Sequence, residues 1–199
     1  MKKNHENNLV GYKIFKFILG VFYKLYYNPK IINKDVIPKD GPIILAGNHK
    51  HLYDQNNVIL STKRMIHYMA KIEYFQSKKT AWFFKLVGCI PVDRKAHDGK
   101  AKKAAIEVLK KGYALGIFPE GTRNRTKDPL LPFKFGAVKM AQETGATIIP
   151  FAITGEYKFR SKDLTITFGN PMKVNINDDI EKANEKLYNE VLNLKKVKK

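Results

Sequence analysis

The chain has 199 residues, enough for one compact domain with a proper core, and 44% apolar and 12% aromatic residues exclude a disordered chain. Its one cysteine, Cys89, excludes an internal disulfide or a multi-thiolate metal cage and fits a reducing compartment. A formal net charge of +19 points to an anionic partner such as nucleic acid, anionic lipid or a phosphorylated substrate; a general lysine bias gives the same sum, since only Arg64, Arg94, Arg123, Arg125 and Arg160 among 37 basic residues are arginine.

The first element is "NLVGYKIFKFILGVFYKLYYNPK", Asn8 to Lys30. It is apolar enough to resemble a membrane span, and it lacks a small-residue cleavage site after a clean apolar core, so a removed signal peptide is not expected. Lys13, Lys16 and Lys24, with Gly20 between, fall at steps of three and four and share one helical stripe. A span needs about 20 mostly apolar residues, and lysine near its middle is costly. A helix lying in the interface lets the lysines snorkel to headgroups while a broad apolar face of Leu9, Ile14, Phe15, Phe17, Ile18, Leu19, Val21, Phe22 and Leu25 sinks in, with Tyr12, Tyr23, Tyr26 and Tyr27 at headgroup level. Residues 1–30 are therefore expected to form an amphipathic membrane-interface helix, monotopic rather than spanning; docking on the protein's own core is the alternative.

From Pro38 onward, short apolar runs alternate with amphipathic stretches. "PIILAGNH" reads as a strand ending in a loop, "DQNNVILSTKR" as a helix with Asp54 near its start, "IHYMAK" as a strand and "KKTAWFFKLVG" as a helix closed by Gly88. "CIPVDR" follows as a strand bent at Pro91, then "GKAKKAAIEVLKKG" as a helix with Gly112 past its end. "YALGIFPEG" is a buried strand running into a turn, and "FGAVKMAQETG" a helix ending at Gly145. "TIIPFAIT" and "LTITFG" are strands, and residues 177–199 form a polar-faced terminal helix. This order predicts a single α/β domain over residues 31–199, a largely parallel or mixed central sheet flanked by helices, with sites where strands end and loops begin. No internal repeat or linker divides it.

The loop "AGNHKHLYDQNN" gathers His49, His51 and Asp54 within six residues. Two histidines two apart on an extended loop suit a metal, but further ligands would have to come from His5, His67 or His97. Alternatively, with His49 in the loop and Asp54 in the first turns of a helix, the carboxylate reaches back to the ring, accepts Nδ1–H and leaves Nε2 free as a base. Three downstream blocks bear on the choice. "GCIPVDR" ends an apolar strand on Asp93-Arg94, "FPEGTR" ends another on Glu120-Gly121-Thr122-Arg123, and "IIPFAI" carries Pro150 inside a strand pattern, where the missing amide is unusual.

Together the four blocks, in order between residues 48 and 153, resemble the glycerolipid acyltransferase family, which includes 1-acylglycerol-3-phosphate acyltransferases. The resemblance implies His49 as general base with Asp54 as its orienting partner, Arg94 and Arg123 holding the acceptor's phosphate, and Glu120, Gly121 and Thr122 shaping the acceptor site. Lys71 in "MAKIE" matches a lysine-bearing stretch of the family and is expected to help stabilise the oxyanion. It further implies acyl transfer in phospholipid biosynthesis from a thioester, acyl-coenzyme A or acyl carrier protein, to the sn-2 hydroxyl of lysophosphatidic acid, giving phosphatidic acid. No bound cofactor or metal is expected, and the place of work would be an anionic membrane surface on the cytoplasmic face. Glycerol 3-phosphate or another lysophospholipid is the alternative acceptor. A non-enzymatic basic module binding nucleic acid or an anionic membrane is the rival class; the charge permits it, but no recognition motif for nucleic acid accompanies it. Cys89, inside an apolar strand, reads as a buried structural thiol rather than a nucleophile.

Overall fold

A computed structural model of the chain describes residues 2–93 and 99–196. Among these, the strands β1 (Lys30–Ile32), β2 (Ile43–Gly47), β3 (Ile66–Lys71), β4 (Ile90–Val92), β5 (Ala114–Ile117), β6 (Thr147–Thr154) and β7 (Thr165–Phe168) form one sheet in the order β1-β7-β6-β2-β5-β3-β4. All pairings are parallel except β6 with β7. The helices are α1 (Lys2–Tyr27), α2 (Asp54–Ser61), α3 (Glu73–Gln76), α4 (Ala81–Leu86), α5 (Lys100–Lys110), α6 (Gly136–Thr144) and α7 (Ile180–Lys196), with one 3-10 turn at Lys34–Val36. The architecture is thus mixed α/β with a central sheet flanked by helices.

The central strand β2 is buried at every position because both of its faces are covered. Ile44 and Ala46 point into a core closed by Ile106 and Leu109 of α5, Val138 and Ala141 of α6, and Leu187 and Val191 of α7. Ile43 and Leu45 point the other way, into a core with Val58 of α2, Phe151 and Phe168. The sequence alternates faces with period two, and the helices supply the two lids. Gly145 ends α6 in the left-handed region at φ 68°, returning its amide to the Ala141 carbonyl at 2.8 Å.

Pro150 fits inside β6 because its absent amide falls beyond the end of β7. Residues two apart on a strand present their amides to the same side, and Ile148 donates on that side to Met172 O at 2.8 Å. Opposite Pro150 the neighbouring strand has ended at Phe168, and Gly169 N still donates to Pro150 O at 2.9 Å, so the proline falls between the β7 ladder and the bridge to Met172 and takes part through its carbonyl alone.

Helix α1 packs on α2 and α4. It does so across two glycines: a Cβ on Gly11 would collide with the Leu86 side chain, and one on Gly20 would stand 2.9 Å from Leu60 Cδ2. Tyr12 and Tyr23 are buried on the same side, whereas Val10, Ile14, Phe17, Ile18, Val21, Phe22 and Leu25 remain exposed. Docking and exposure are thus two faces of one helix, not alternatives. The expected lysine stripe is divided: Lys13 and Lys24 are exposed, but Lys16 turns inward to the Thr62 carbonyl beside Gly20, and burial pushes its ammonium down to about 8. No helix among the described residues is long and apolar enough to cross a membrane.

Besides the 3-10 turn at Lys34–Val36, two elements had no counterpart in the sequence reading. Strand β1 starts at Lys30 and joins the sheet beside β7, and α3 is a single turn after β3. The terminal helix starts at Ile180 rather than residue 177, because Asp179 Oδ1 accepts the Glu181 amide at 2.8 Å and sets the helix entry there.

Candidate active site

Strands β2, β5, β3 and β4 run parallel and adjacent, so their C-terminal ends share one edge of the sheet. His49 lies just past β2, Glu120 just past β5, and Lys71 closes β3. Arg94, two residues beyond β4, lies outside the described residues, as do His97 and the side chain of His5.

The loop after β2 departs from the sheet in a fixed way. The Asn48 side chain imitates one more ladder residue, donating Nδ2 to Ile153 O at 2.9 Å while Oδ1 accepts Ile153 N at 2.7 Å. Gly47 cannot carry a side chain, since a Cβ there would run into the Phe151 carbonyl and ring. The chain therefore leaves β2 hard against β6 and brings His49 out over the sheet edge, its ring stacked on Phe118 at 4.1 Å and 13°.

Asp54, in the first turn of α2, is completely buried. Its Oδ2 accepts His49 Nδ1–H at 2.8 Å, Lys50 N at 2.6 Å and His51 N at 2.7 Å. A carboxylate removed from water needs such donors to stay charged, and here the loop it orients supplies them. With Nδ1 facing the carboxylate, the proton sits on Nδ1 and Nε2 keeps its lone pair. The His49 side chain is 19% accessible, and no described residue bonds Nε2. This is the arrangement of a base held by a carboxylate.

Glu120 is also buried, but it does not reach the ring. Its Oε1 accepts His49 N at 2.7 Å and its Oε2 accepts Leu131 N at 2.8 Å, while Asn124 N donates to His49 O at 2.6 Å. Burial raises its carboxyl above the usual range, and the two amides pull partly the other way. Gly121 makes the turn at φ 71°, a region that glycine enters without strain, and its amide returns to Phe118 O at 2.9 Å. Thr122 is exposed, and Arg123 is half-buried with no hydrogen bond or ion pair from its guanidinium among the described residues. The ion pair with Glu120 that a structural role would use does not form, because Glu120 is occupied by backbone amides.

Lys71 is exposed at the end of β3. Leu45, Gly116 and Tyr68 are aligned across β2, β5 and β3, so the chain passes Lys71 and His49 at the same edge of the sheet, two strands apart. Strand alternation sends Lys71 toward the face that Met69 occupies. The His51 ring stacks on Tyr157 at 4.2 Å, and its Nδ1 accepts Tyr53 N at 3.3 Å. His67 bonds Gly88 O through Nδ1 at 2.8 Å within β3. Among the described residues no group of three or more histidine, cysteine, aspartate or glutamate side chains gathers as a metal would need. Burial pushes the Cys89 thiol up to about 12, so it stays protonated.

The sequence reading missed Asn48 as a ladder mimic, Tyr157, which donates to Asp54 Oδ1 at 2.5 Å, and Asn57, whose Nδ2 donates to the Tyr157 hydroxyl at 2.7 Å. The only signal for Tyr157 was its place just past the proline-bearing strand, at the same sheet edge.

Comparison with known proteins agrees with this geometry. A family model described as acyltransferase matches residues 28–154. The 1-acyl-sn-glycerol-3-phosphate acyltransferase of Bacillus subtilis is 34% identical over 166 residues, spanning 81% of this chain and 82% of that protein. The protein of the same name from Streptococcus pneumoniae is 28% identical over 192 residues, 92% of this chain and 70% of the other. In fold, the chain is similar to the crystal structure of the 1-acyl-sn-glycerophosphate acyltransferase PlsC of Thermotoga maritima, with a TM-score of 0.73 at 21% identity over 93% of this chain and 77% of that one.

Proposed function

The chain belongs to the acyltransferase family, and on that premise we propose that it moves a fatty acyl group from a thioester donor to the sn-2 hydroxyl of 1-acylglycerol 3-phosphate, with His49 as general base. The observation that carries the reading is the 2.8 Å bond from His49 Nδ1 to a fully buried Asp54, with Nε2 unengaged among the described residues. Relatives bearing the name of this activity supply the acceptor.

In the reaction, Nε2 takes the proton of the acceptor hydroxyl as its oxygen attacks the thioester carbonyl. The tetrahedral intermediate collapses, the carbon–sulfur bond breaks, and the imidazolium returns its proton to the leaving thiolate. Asp54 holds the ring tautomer and favours the imidazolium that forms. Arg123 is the phosphate holder, suited by a planar fork that carries no partner among the described residues, and Arg94 at the neighbouring strand end is its expected companion. Glu120, Gly121 and Thr122 shape the turn that presents Arg123. Lys71, turned by strand alternation to the face opposite the Phe118 ring on which His49 stacks, would supply positive charge for the oxyanion by reaching over the shared sheet edge.

Residues 1–30 act as the membrane-interface element and residues 31–199 as the catalytic domain. The exposed apolar face of α1, flanked by Lys13 and Lys24, supports peripheral attachment to an anionic bilayer, where acceptor and product reside. The donor, acyl-coenzyme A or acyl carrier protein, would arrive from the cytoplasmic side.

The test is thiol release from acyl-coenzyme A by purified protein in lipid micelles, with and without 1-acylglycerol 3-phosphate, beside His49→Ala and with a chelator present. Release that needs the acceptor, survives chelation and disappears in His49→Ala is expected. Full turnover in His49→Ala would remove the base assignment, and release only with glycerol 3-phosphate or another lysolipid would change the acceptor.

A further inference from the structure

The Asp54 carboxylate has two oxygens, and the dyad uses one. Oδ2 gathers His49 Nδ1–H and the amides of Lys50 and His51. Oδ1 lies in the same fully buried position, where a bare carboxylate oxygen would be costly, and its partner is the Tyr157 hydroxyl at 2.5 Å. Rotation of the carboxylate about its Cβ–Cγ bond would swing Oδ2 away from Nδ1, and a donor on the opposite oxygen removes that freedom. We propose that Tyr157 is a positioning residue for acyl transfer, fixing through Asp54 the orientation and tautomer of the His49 ring. The proposal rests on the assignment of His49 as base.

Tyr157 is itself held on several sides. Asn57 Nδ2 donates to its hydroxyl at 2.7 Å, which fills a lone pair and leaves the phenolic proton to Asp54. The His51 ring stacks on it at 4.2 Å, and Tyr27 of α1 packs edge-on at 5.6 Å. Tyr23, also of α1, donates to Tyr53 O at 3.4 Å within the same cluster. Burial, and then the negative Asp54 beside it, hold the Tyr157 phenol far above its ordinary range, so it remains a donor. The titratable and charged groups facing this cluster are Tyr23 and Tyr27 from α1, Asp54 from α2, Tyr68 from β3, Glu120 from the turn after β5, Lys195 from α7, and His49, His51, Tyr53 and Lys50 from the loop, with Lys50 Nζ donating to the Gly155 carbonyl. The helix that presents the apolar face to solvent thus also packs on the residue that steadies the dyad.

Tyr157→Phe keeps the ring and both aromatic contacts and removes only the hydroxyl. The measurements are near-UV circular dichroism, kcat and acceptor KM against pH, and the titration of the His49 ring by nuclear magnetic resonance without substrate. The kcat plateau should fall about tenfold, the scale of losing one hydrogen bond to a charged group. Acceptor KM should stay within about twofold. With the Asp54 carboxylate free to turn Oδ2 away from Nδ1, the imidazolium loses support, so the His49 midpoint should fall and the acid limb of the rate profile with it. In an Asp54→Asn background, adding Tyr157→Phe should leave the His49 midpoint where Asp54→Asn put it.

An unchanged plateau with an unchanged midpoint overturns the proposal. So does lost activity with an unmoved midpoint or a lost near-UV signal, which marks a purely structural role, and so do shifts that add in the double variant. If instead His49→Ala keeps full turnover, the proposed function falls, while the substrate-free titration still decides whether Tyr157 acts on the His49 ring.

Discussion

Replacing Phe17 and Phe22 together by serine should detach the protein from bilayers without disturbing its fold. Both rings stand on the outer side of α1, 73% and 68% exposed, opposite the side that packs on α2 and α4. Fully burying a phenylalanine is worth ~1.5–3 kcal/mol, so two rings with about 70% of their surface outstanding hold ~2–4 kcal/mol in reserve for an apolar phase. At ~1.4 kcal/mol per decade, their loss should weaken partition on the order of 100-fold. Sedimentation with vesicles of mixed phosphatidylcholine and phosphatidylglycerol reads this directly. Raising salt should weaken both proteins by a similar factor, because Lys13 and Lys24 are kept. Thermal stability should stay within a few degrees, and transfer to a short-chain, water-soluble acceptor should persist while transfer to a vesicle-embedded one falls. Partition unchanged within threefold would refute the membrane role of this face.

Arg123→Ala should raise the acceptor KM while leaving the donor KM alone, and steady-state kinetics with an unchanged acceptor KM would sink the phosphate role. Lys16→Met should stabilise the protein at neutral pH, because burial lowers the Lys16 pKa from 10.5 to about 8 and the folded protein disfavours the ammonium. Between those values the unfolded chain binds more protons, so wild-type stability from this group rises with pH. The advantage of Lys16→Met in denaturant unfolding should therefore shrink from pH 8 to 10.5; an advantage that grows there would contradict the sign. Gly47→Ala should cost more than ~2 kcal/mol by overpacking against the Phe151 backbone, read as a lowered unfolding midpoint.

The α/β alternation was legible because each buried strand is a short apolar run set off by a helix with its own period, as in "PIILAGNH" and "GKAKKAAIEVLKKG". Strand β1 was not, since three residues carry no period and their partner, Thr165 to Thr167, lies more than a hundred positions away. Nor could hydropathy give the antiparallel turn of β7 against β6, which depends on the short path through Gly155 to Asp163. On α1 the apolar stripe was readable. The docking side was not, because it is chosen by two glycines fitting against Leu86 and Leu60, and that fit draws Lys16 inward. The His49–Asp54 pairing was readable because a five-residue offset across a strand–helix junction is a local matter. Tyr157, 103 positions from Asp54, is brought there only by the sheet order.

The two buried acids of the site divide one task. Asp54 holds His49 by the ring, and Glu120 holds it by the backbone amide, while Asn124 N takes the His49 carbonyl. His49 is thereby fixed at N, O and Nδ1, and the atom left for a substrate is Nε2. Glu120 also joins Leu131 N, so the turn from Phe118 to Leu131 is clipped to the His49 loop by its own main chain. Arg123 rides on that turn, three residues after Glu120. The spacing between the proposed base and the proposed phosphate holder is therefore set mainly by backbone hydrogen bonds, and less by the reach of long side chains. For an acceptor whose hydroxyl and phosphate are separated by a short, fixed number of bonds, that is the distance that has to be held.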